Sequence, residues 1–509
     1  MTASPGTADP LRDVALFAAL PASARAELAA GGSRRALAAG DWLFHAGDPP
    51  DSLHVVLSGR LEVLGPGEGA PVLREVGRGS AVGELGVLTG EPRSAAVRAR
   101  RDSELLEVAG AAFDAILGRD PALPLAVARL LAGQLRASRG LLPARRAPAP
   151  VTIAVVPSPA GAPAGDFAAA LRDELARFGP VALLDEGSAG EAAGWASALD
   201  RAEARGGQVL MVAGAGERWQ AFCRRQADRV VEVPPAGPGR GARRDPAALG
   251  RRLAGRAIGV VLSGGGARGL AHVGVLEALV EAGVTVDRVG GCSMGALVGA
   301  QFALGRDPAQ IRERCRAELV ARNPLGDYAV PRVALTRGRR GRAMLERLLG
   351  DARIEDLPRD FFCVSSDLVT GALAVHREGR LADAVAASVA LPGIVPPVRL
   401  GERLLVDGGV LDNLPVAEMA ATGEGPVIAV DVSARFAAPA GAAPGIRETL
   451  LRTLVLGSAD TAAAAQAHAD VVVEPDVAGI GMLDFSRLDE LVARGRDAVA
   501  RLGGYPLGV

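Results

Sequence analysis

The chain runs to 509 residues, room for about two to four domains. At 49% hydrophobic and 23% charged it has the composition of a globular protein, not a disordered one. Its 57 basic residues, every one an arginine, face 58 acidic residues for a formal charge of −1; that leaves no electrostatic footprint for nucleic acid and makes a single arginine cluster a weak signal. Cys223, Cys292, Cys315 and Cys363 lie far apart without a C-x-x-C pair, which argues against a disulfide framework and against a zinc site. The opening MTASPGTADPLRD lacks the basic-then-apolar pattern of a secretory signal. No run of about 18 apolar residues suggests a spanning helix either. A cytoplasmic location is expected, with peripheral membrane contact left open.

Short β-rich runs fill the first block: Trp42 to Phe44, Leu53 to Leu57, Leu61 to Leu64 and Val72 to Val76. Ala46-Gly47-Asp48, Ser58-Gly59 and Gly65-Pro66-Gly67 separate them as turns, the pattern of a small antiparallel barrel. Helices are expected around Ser23 to Ala30 and Leu123 to Ala137. Within VGELGVLTGEPRSAAVRA, Gly83-Glu84-Leu85 is followed by Arg93-Ser94-Ala95. This resembles the phosphate-binding cassette of cyclic-nucleotide-binding domains. The resemblance implies that Arg93 forks onto a cyclic phosphodiester, that Ser94 and the backbone of Gly83 to Leu85 add donors, and that Glu84 accepts from a ribose hydroxyl. The expected ligand is cAMP or cGMP. A nucleotide-dependent transcription factor is excluded, because neither a helix-turn-helix nor a basic patch follows.

The expected domains are 12–138, a linker at 139–150 (LLPARRAPAP within it), 151–235, a second linker at 236–255, and 256–505. The middle block opens on VTIAVVP and alternates a helix from Phe167 to Phe178 with strands at Val181 to Leu184 and Val209 to Val212, an α/β unit. It has no phosphate loop. The last block alternates strands (Ile258 to Leu262, Phe362 to Ser365, Val427 to Val432) with helices. The fold class is therefore multidomain α/β: a β-barrel, a middle α/β unit and a layered α/β domain.

That last block carries the chemistry. A strand runs into Gly264-Gly265-Gly266-Ala267-Arg268-Gly269 and then into a helix, LAHVGVLEALVEAG. Consecutive glycines after a strand turn backbone N–H groups toward one point, a site for negative charge. The same spacing fits a dinucleotide loop, but that reading wants an acid closing the next strand, and here Asp287 is expected to precede it. Gly291-Cys292-Ser293-Met294-Gly295 then places a G-x-S-x-G between strand and helix, where small residues allow a sharp turn. The serine needs a base. Of the five histidines, His272 is expected to pack and His376 to be exposed in a hairpin. Asp407, ending RLLVD before Gly408 and Gly409, is the better base.

Taken together, SGGGARGLAHVGVLEAL, VGGCSMGALVGAQFALG, DAVAASVALPGIVPPV and LLVDGGVLDNLPV resemble the patatin-like phospholipases of the bacterial and neuropathy-target-esterase branch. The resemblance extends to ERWQAFCRRQADRVVEV in the middle block and to GMLDFSRLDELVARG near the end. It implies a Ser–Asp dyad of Ser293 and Asp407, an oxyanion hole from Gly264, Gly265 and Gly266 with Arg268 behind them, and motif glycines at Gly269, Gly291, Gly295, Gly408 and Gly409. It implies no metal, and a lysophospholipid or other long-chain ester as substrate. Asp407 is expected to have a raised pKa, since an ordinary carboxylate is a weak base toward serine. Leu391 to Val398 is a candidate acyl-pocket segment, and TRGRRGR, Thr336 to Arg342, a candidate lipid-phosphate contact. The second reading is a cyclic-nucleotide sensor whose last domain is a lipid-binding scaffold. Nothing in the sequence fixes the oligomeric state.

Overall fold

The computed structural model describes residues 20–65, 72–119, 151–158, 164–233, 245–330, 332–433 and 466–502, with isolated positions at 11, 12, 14, 16, 17 and 449. The helix expected over Leu123 to Ala137 and the linker at 139–150 lie outside the described residues. The described chain divides into two compact units, one holding the first two sheets below and the other the third.

The first sheet is antiparallel: β1 (Ser33–Leu37), β2 (Trp42–Phe44), β3 (Ser52–Leu64), β4 (Val72–Gly77), β5 (Ala81–Val82) and β6 (Ala96–Ala109). Its order is β1-β6-β3-β4, with β2 on β6 and β5 on β3. Helices α1 (Ala22–Gly31) and α3 (Gly110–Leu117) flank it, and α2 (Glu84–Thr89) lies between β5 and β6. Phe17 meets Phe113 edge-on at 5.8 Å in the core. Ser58-Gly59, expected as a turn, instead lies inside the 13-residue strand β3. The register against β6 slips there, and Gly59 takes φ 89° with Asp102 and Ser103 so close that a Cβ would meet their atoms at 2.3–2.6 Å. A bulge glycine and a turn glycine look alike in sequence.

The second sheet is parallel: β7 (Thr152–Pro157), β8 (Val181–Asp185), β9 (Gln208–Val212) and β10 (Arg229–Val233), in the order β10-β7-β9-β8. Trp195, Trp219 and Phe222 stack into its core with ring centroids 4.9–5.5 Å apart. Charged groups join it to the first sheet. Arg101, only 3% exposed, donates to the Gln226 carbonyl and the Glu203 carboxylate, each at 2.7 Å. Arg60 pairs with Asp228 at 2.9 Å, and Asp228 accepts the N–H groups of Val151 and Thr152 where β7 begins.

The third sheet has eight strands: β11 (Ile258–Leu262), β12 (Val286–Cys292), β13 (Asp360–Asp367), β14 (Leu373–His376), β15 (Val398–Leu400), β16 (Arg403–Asp407), β17 (Val427–Val430) and β18 (Val471–Val473). The order is β15-β16-β13-β12-β11-β17-β18, with β14 on β13. Five strands pair in parallel; β14 and β16 run against them, and β15, antiparallel to β16, runs with them. β11 and β12 are buried at every position, as strands covered on both faces must be. Asp287 lies within β12 and is held by Arg251 at 2.7 Å, so it closes no nucleotide loop. The expected linker at 236–255 is also not all loop. Asp245 accepts the N–H groups of Ala247 and Ala248, and Pro246 opens a helix that runs to Leu253.

Four helices of this unit bear on the site: α4 (Ala271–Glu281), α5 (Met294–Ala303), α6 (Leu381–Ser388) and α7 (Leu488–Ala500). Glycines set how closely α4 and α7 pack. A Cβ at Gly274 would meet the Val492 carbonyl oxygen at 1.9 Å, and one at Gly495 the Ala271 oxygen at 2.0 Å. Gly495→Ala should therefore destabilise the protein by about 1–3 kcal/mol in urea unfolding, because overpacking outweighs the gain of about 1 kcal/mol in helix propensity.

Candidate active site

Ser293 follows the last residue of β12 and precedes the first turn of α5 with φ 52° and ψ −121°. It is one of two non-glycine residues with positive φ among those described, the other being Asn323. Such a conformation costs on the order of 1–3 kcal/mol and is held by its surroundings. Close packing is the reason for the flanking glycines: a Cβ on Gly291 would meet Gly295 at 2.7 Å, and one on Gly295 the Leu262 oxygen at 2.2 Å. Gly269 likewise abuts the Met294 side chain. The turn thus wedges the start of α5 against the end of β11 and leaves the hydroxyl facing the carboxyl ends of the parallel strands.

Asp407 arrives on β16, paired with Ser365 of β13. The Ser293 hydroxyl donates to its Oδ2 at 2.6 Å. The other oxygen, Oδ1, accepts the Gly409 N–H at 2.8 Å and the Cys292 thiol at 3.6 Å. Gly408 is needed for contact, since a Cβ there would meet the Val364 oxygen at 2.6 Å. Asp407 is wholly buried, and that burial pushes its carboxyl up to about 6 against the pull of its three donors. A raised pKa makes it a stronger base while leaving it ionised at neutral pH.

Neither histidine competes. His272 is buried against the Ser263 carbonyl at 2.8 Å, and burial lowers it to about 4. His376 lies on the hairpin strand β14, but the expectation that it is exposed fails: it is half-buried, 2.7 Å from the Ser365 hydroxyl, and lowered to about 4 by burial and then by Arg403.

The glycine loop needs one correction. The Gly264 N–H already donates to the Asn413 carbonyl at 3.1 Å, so Gly264 anchors the loop and is no oxyanion donor. The Gly265 and Gly266 N–H groups have no acceptor among the described residues, and Gly266, at φ 57°, lines the same cavity as Ser293. Arg268 sends its Nε to the Ile480 carbonyl at 2.7 Å, while the Ala267 N–H reaches Met482 at 2.7 Å. Arg268 therefore acts by holding the loop in place.

Two residues that the sequence did not single out complete the frame. The Ser388 hydroxyl, at the end of α6, accepts the Ser293 N–H at 3.0 Å. Asn413 also donates to the Gly264 carbonyl, at 3.2 Å. Ser388 lies in AVAASVALPGIVPPV, so its neighbourhood was legible although its role was not.

From Ser293 a cavity of about 280 Å³ opens, walled largely by apolar side chains that include Met294, Leu297, Leu345, Leu391 and Val395. The candidate segment Leu391 to Val398 supplies much of one wall. In the first unit, Arg93 donates to the Gly83 and Ser52 carbonyls at 2.8 and 2.5 Å and lies 4.4 Å over Phe44. Its buried Nε has no partner among the described residues. Glu84 is buried at the start of α2, while Leu85 and Ser94 are exposed.

This pairing of a strained serine with a buried carboxylate beside an apolar cavity defines a serine acyl-hydrolase of the patatin type. Residues 260–420 match the model of the patatin-like phospholipase family, and residues 34–120 that of the cyclic nucleotide-binding domain. The chain belongs to the NTE family: it is 37% identical to an NTE family protein of Mycobacterium bovis over 96% of this chain and 95% of that one. It is 29% identical to Lysophospholipase NTE1 of Cryptococcus neoformans, over 78% of this chain but 32% of that protein. Among solved structures, the N-terminal domain of a transcriptional regulator from Streptomyces coelicolor is similar at 34% identity and a TM-score of 0.23, covering 26% of this chain and 95% of that one.

Only the carboxylate form of Asp407 can take the serine proton, so kcat/KM should fall tenfold per unit as pH drops below about 6 and level off above it. The pH–rate profile with a soluble ester checks this.

Proposed function

We propose that the chain cleaves the carboxylic ester of lysophospholipids by a Ser293–Asp407 dyad, and that cAMP or cGMP bound in the N-terminal barrel modulates the reaction. The observation that carries this reading is the 2.6 Å hydrogen bond from Ser293 to a buried carboxylate of raised pKa at the end of an apolar cavity. Asp407 takes the hydroxyl proton as Oγ attacks the ester carbonyl, then gives it to the departing alcohol. The Gly265 and Gly266 N–H groups receive the developing oxyanion, each worth about 3–4 kcal/mol. Water, deprotonated by Asp407, releases the acid from the acyl-serine. The cavity's apolar walls suit a single long acyl chain.

A lipid substrate brings the enzyme to a membrane surface, and a cytoplasmic, peripheral location is part of the proposal. Among the described residues no helix is long and apolar enough to cross a membrane. The scaffold reading is the weaker one, since a lipid-binding scaffold needs neither a strained serine nor a costly buried carboxylate.

Hydrolysis of lysophosphatidylcholine and of a p-nitrophenyl ester series tests the dyad. Ser293→Ala and Asp407→Asn should each lose at least about a thousandfold in kcat. Each added pair of methylenes should raise wild-type kcat/KM roughly tenfold until the cavity is full. Full activity in Ser293→Ala would sink the mechanism; an inert wild type would favour the scaffold.

For the barrel, calorimetry should detect cAMP or cGMP binding to wild type and at least about tenfold weaker binding to Arg93→Ala, which loses a charge-assisted fork. Unchanged kcat and KM at saturating nucleotide would remove the regulatory part of the proposal.

A further inference from the structure

The wall of the cavity continues into a loop whose composition matches no internal role. Residues 326–330 and 332–338 fold back on one another: the Ala329 N–H meets the Leu335 carbonyl at 3.0 Å and the Arg337 N–H meets the Asp327 carbonyl at 2.9 Å. The base is fixed, because Leu335 and Thr336 donate to the carbonyls of Gly393 and Ile394, and Thr336 and Arg337 line the cavity. Beyond the base, apolar side chains face solvent. Val330 is 81% exposed, Val333 70% and Tyr328 56%.

Charge on this loop and at the start of the helix that follows it, from Arg339, has one sign. Arg332, Arg337, Arg339 and Arg340 form no ion pair among the described residues. The one acid, Asp327, is turned inward to the Arg340 N–H. Elsewhere in the same unit some exposed arginines find acids, as Arg316 does in Asp489, Arg347 in Glu318 and Arg496 in Glu281, while others, such as Arg314 and Arg399, form no ion pair among the described residues. What sets the loop apart is that four unpaired arginines follow closely along the chain beside the exposed Val330 and Val333.

We infer that the hairpin at residues 326–338 docks the mouth of the cavity onto a bilayer containing anionic phospholipid, the apolar tip entering the interface while the arginines meet lipid phosphates. This rests on the esterase reading for what the cavity takes up. Docking here sets the mouth against the lipid, so a single-chain ester passes from the bilayer to Ser293 without crossing water.

Flotation with phosphatidylcholine vesicles, with and without phosphatidylglycerol, tests it on the full chain. Wild type should bind the anionic vesicles, and less as salt rises. Arg332→Gln with Arg339→Gln should weaken that binding about 25-fold, at about fivefold per arginine near an anionic surface. Val330→Ser with Val333→Ser should weaken it roughly tenfold or more. Arg314→Glu, an exposed arginine outside the loop, should leave it unchanged. All variants should hydrolyse a short soluble ester at the wild-type rate, which shows that they are folded. Absence of wild-type binding at low salt, or equal binding by wild type and both loop variants, overturns the inference. Failure of wild type on the soluble ester would instead overturn the esterase reading, leaving docking to be judged by flotation.

Discussion

The hydrogen bond between Ser293 and Asp407 is the contact around which the catalytic unit is arranged. An ionised carboxylate with no solvent exposure is costly, and among the described residues its oxygens are met by a hydroxyl, one backbone N–H and a thiol. The protein accepts that cost by enclosing Asp407 between strands and bringing its partner to it on a strained turn. Because the serine is held by its own N–H to Ser388 and by glycine contacts on both sides, neither member of the pair is free to relax away.

The same economy governs the loop that faces the dyad. Gly264 is tied at both its N–H and its carbonyl to Asn413, Ala267 to Met482, and Arg268 to Ile480. Those ties leave the Gly265 and Gly266 N–H groups without an acceptor among the described residues, the preorganisation that the proposed oxyanion site requires. The chemistry depends as much on which donors are occupied as on which are present.

Much of this was legible in the residues. G-x-S-x-G and Asp-Gly-Gly announce themselves because only glycine tolerates the backbone contacts made at Gly291, Gly295 and Gly408. The alternation of strand and helix gave the α/β class, and most of the strands it named fall within two residues of their place, while β1, β6, β10, β15 and β18 went unnamed. What stayed hidden depends on tertiary neighbours. Ser388 and Asn413 are ordinary polar residues until the fold brings them to Ser293 and Gly264. The antiparallel insertion of β16 beside β13 has no local signature. His376 looked exposed between two glycines, yet Ser365 covers it from the adjacent strand. Ser58-Gly59 reads as a turn, and the oxyanion role of Gly264 was lost to a backbone carbonyl no sequence motif encodes.

The order of these parts along the chain has its own consequence. Ser293 stands 114 residues before Asp407, and the ties on the glycine loop run on to Ile480 and Met482. A ribosome making this chain therefore releases Ser293 well before the residues that surround it in the fold. The geometry around Ser293 is thus complete only once segments more than a hundred residues apart have folded onto one sheet.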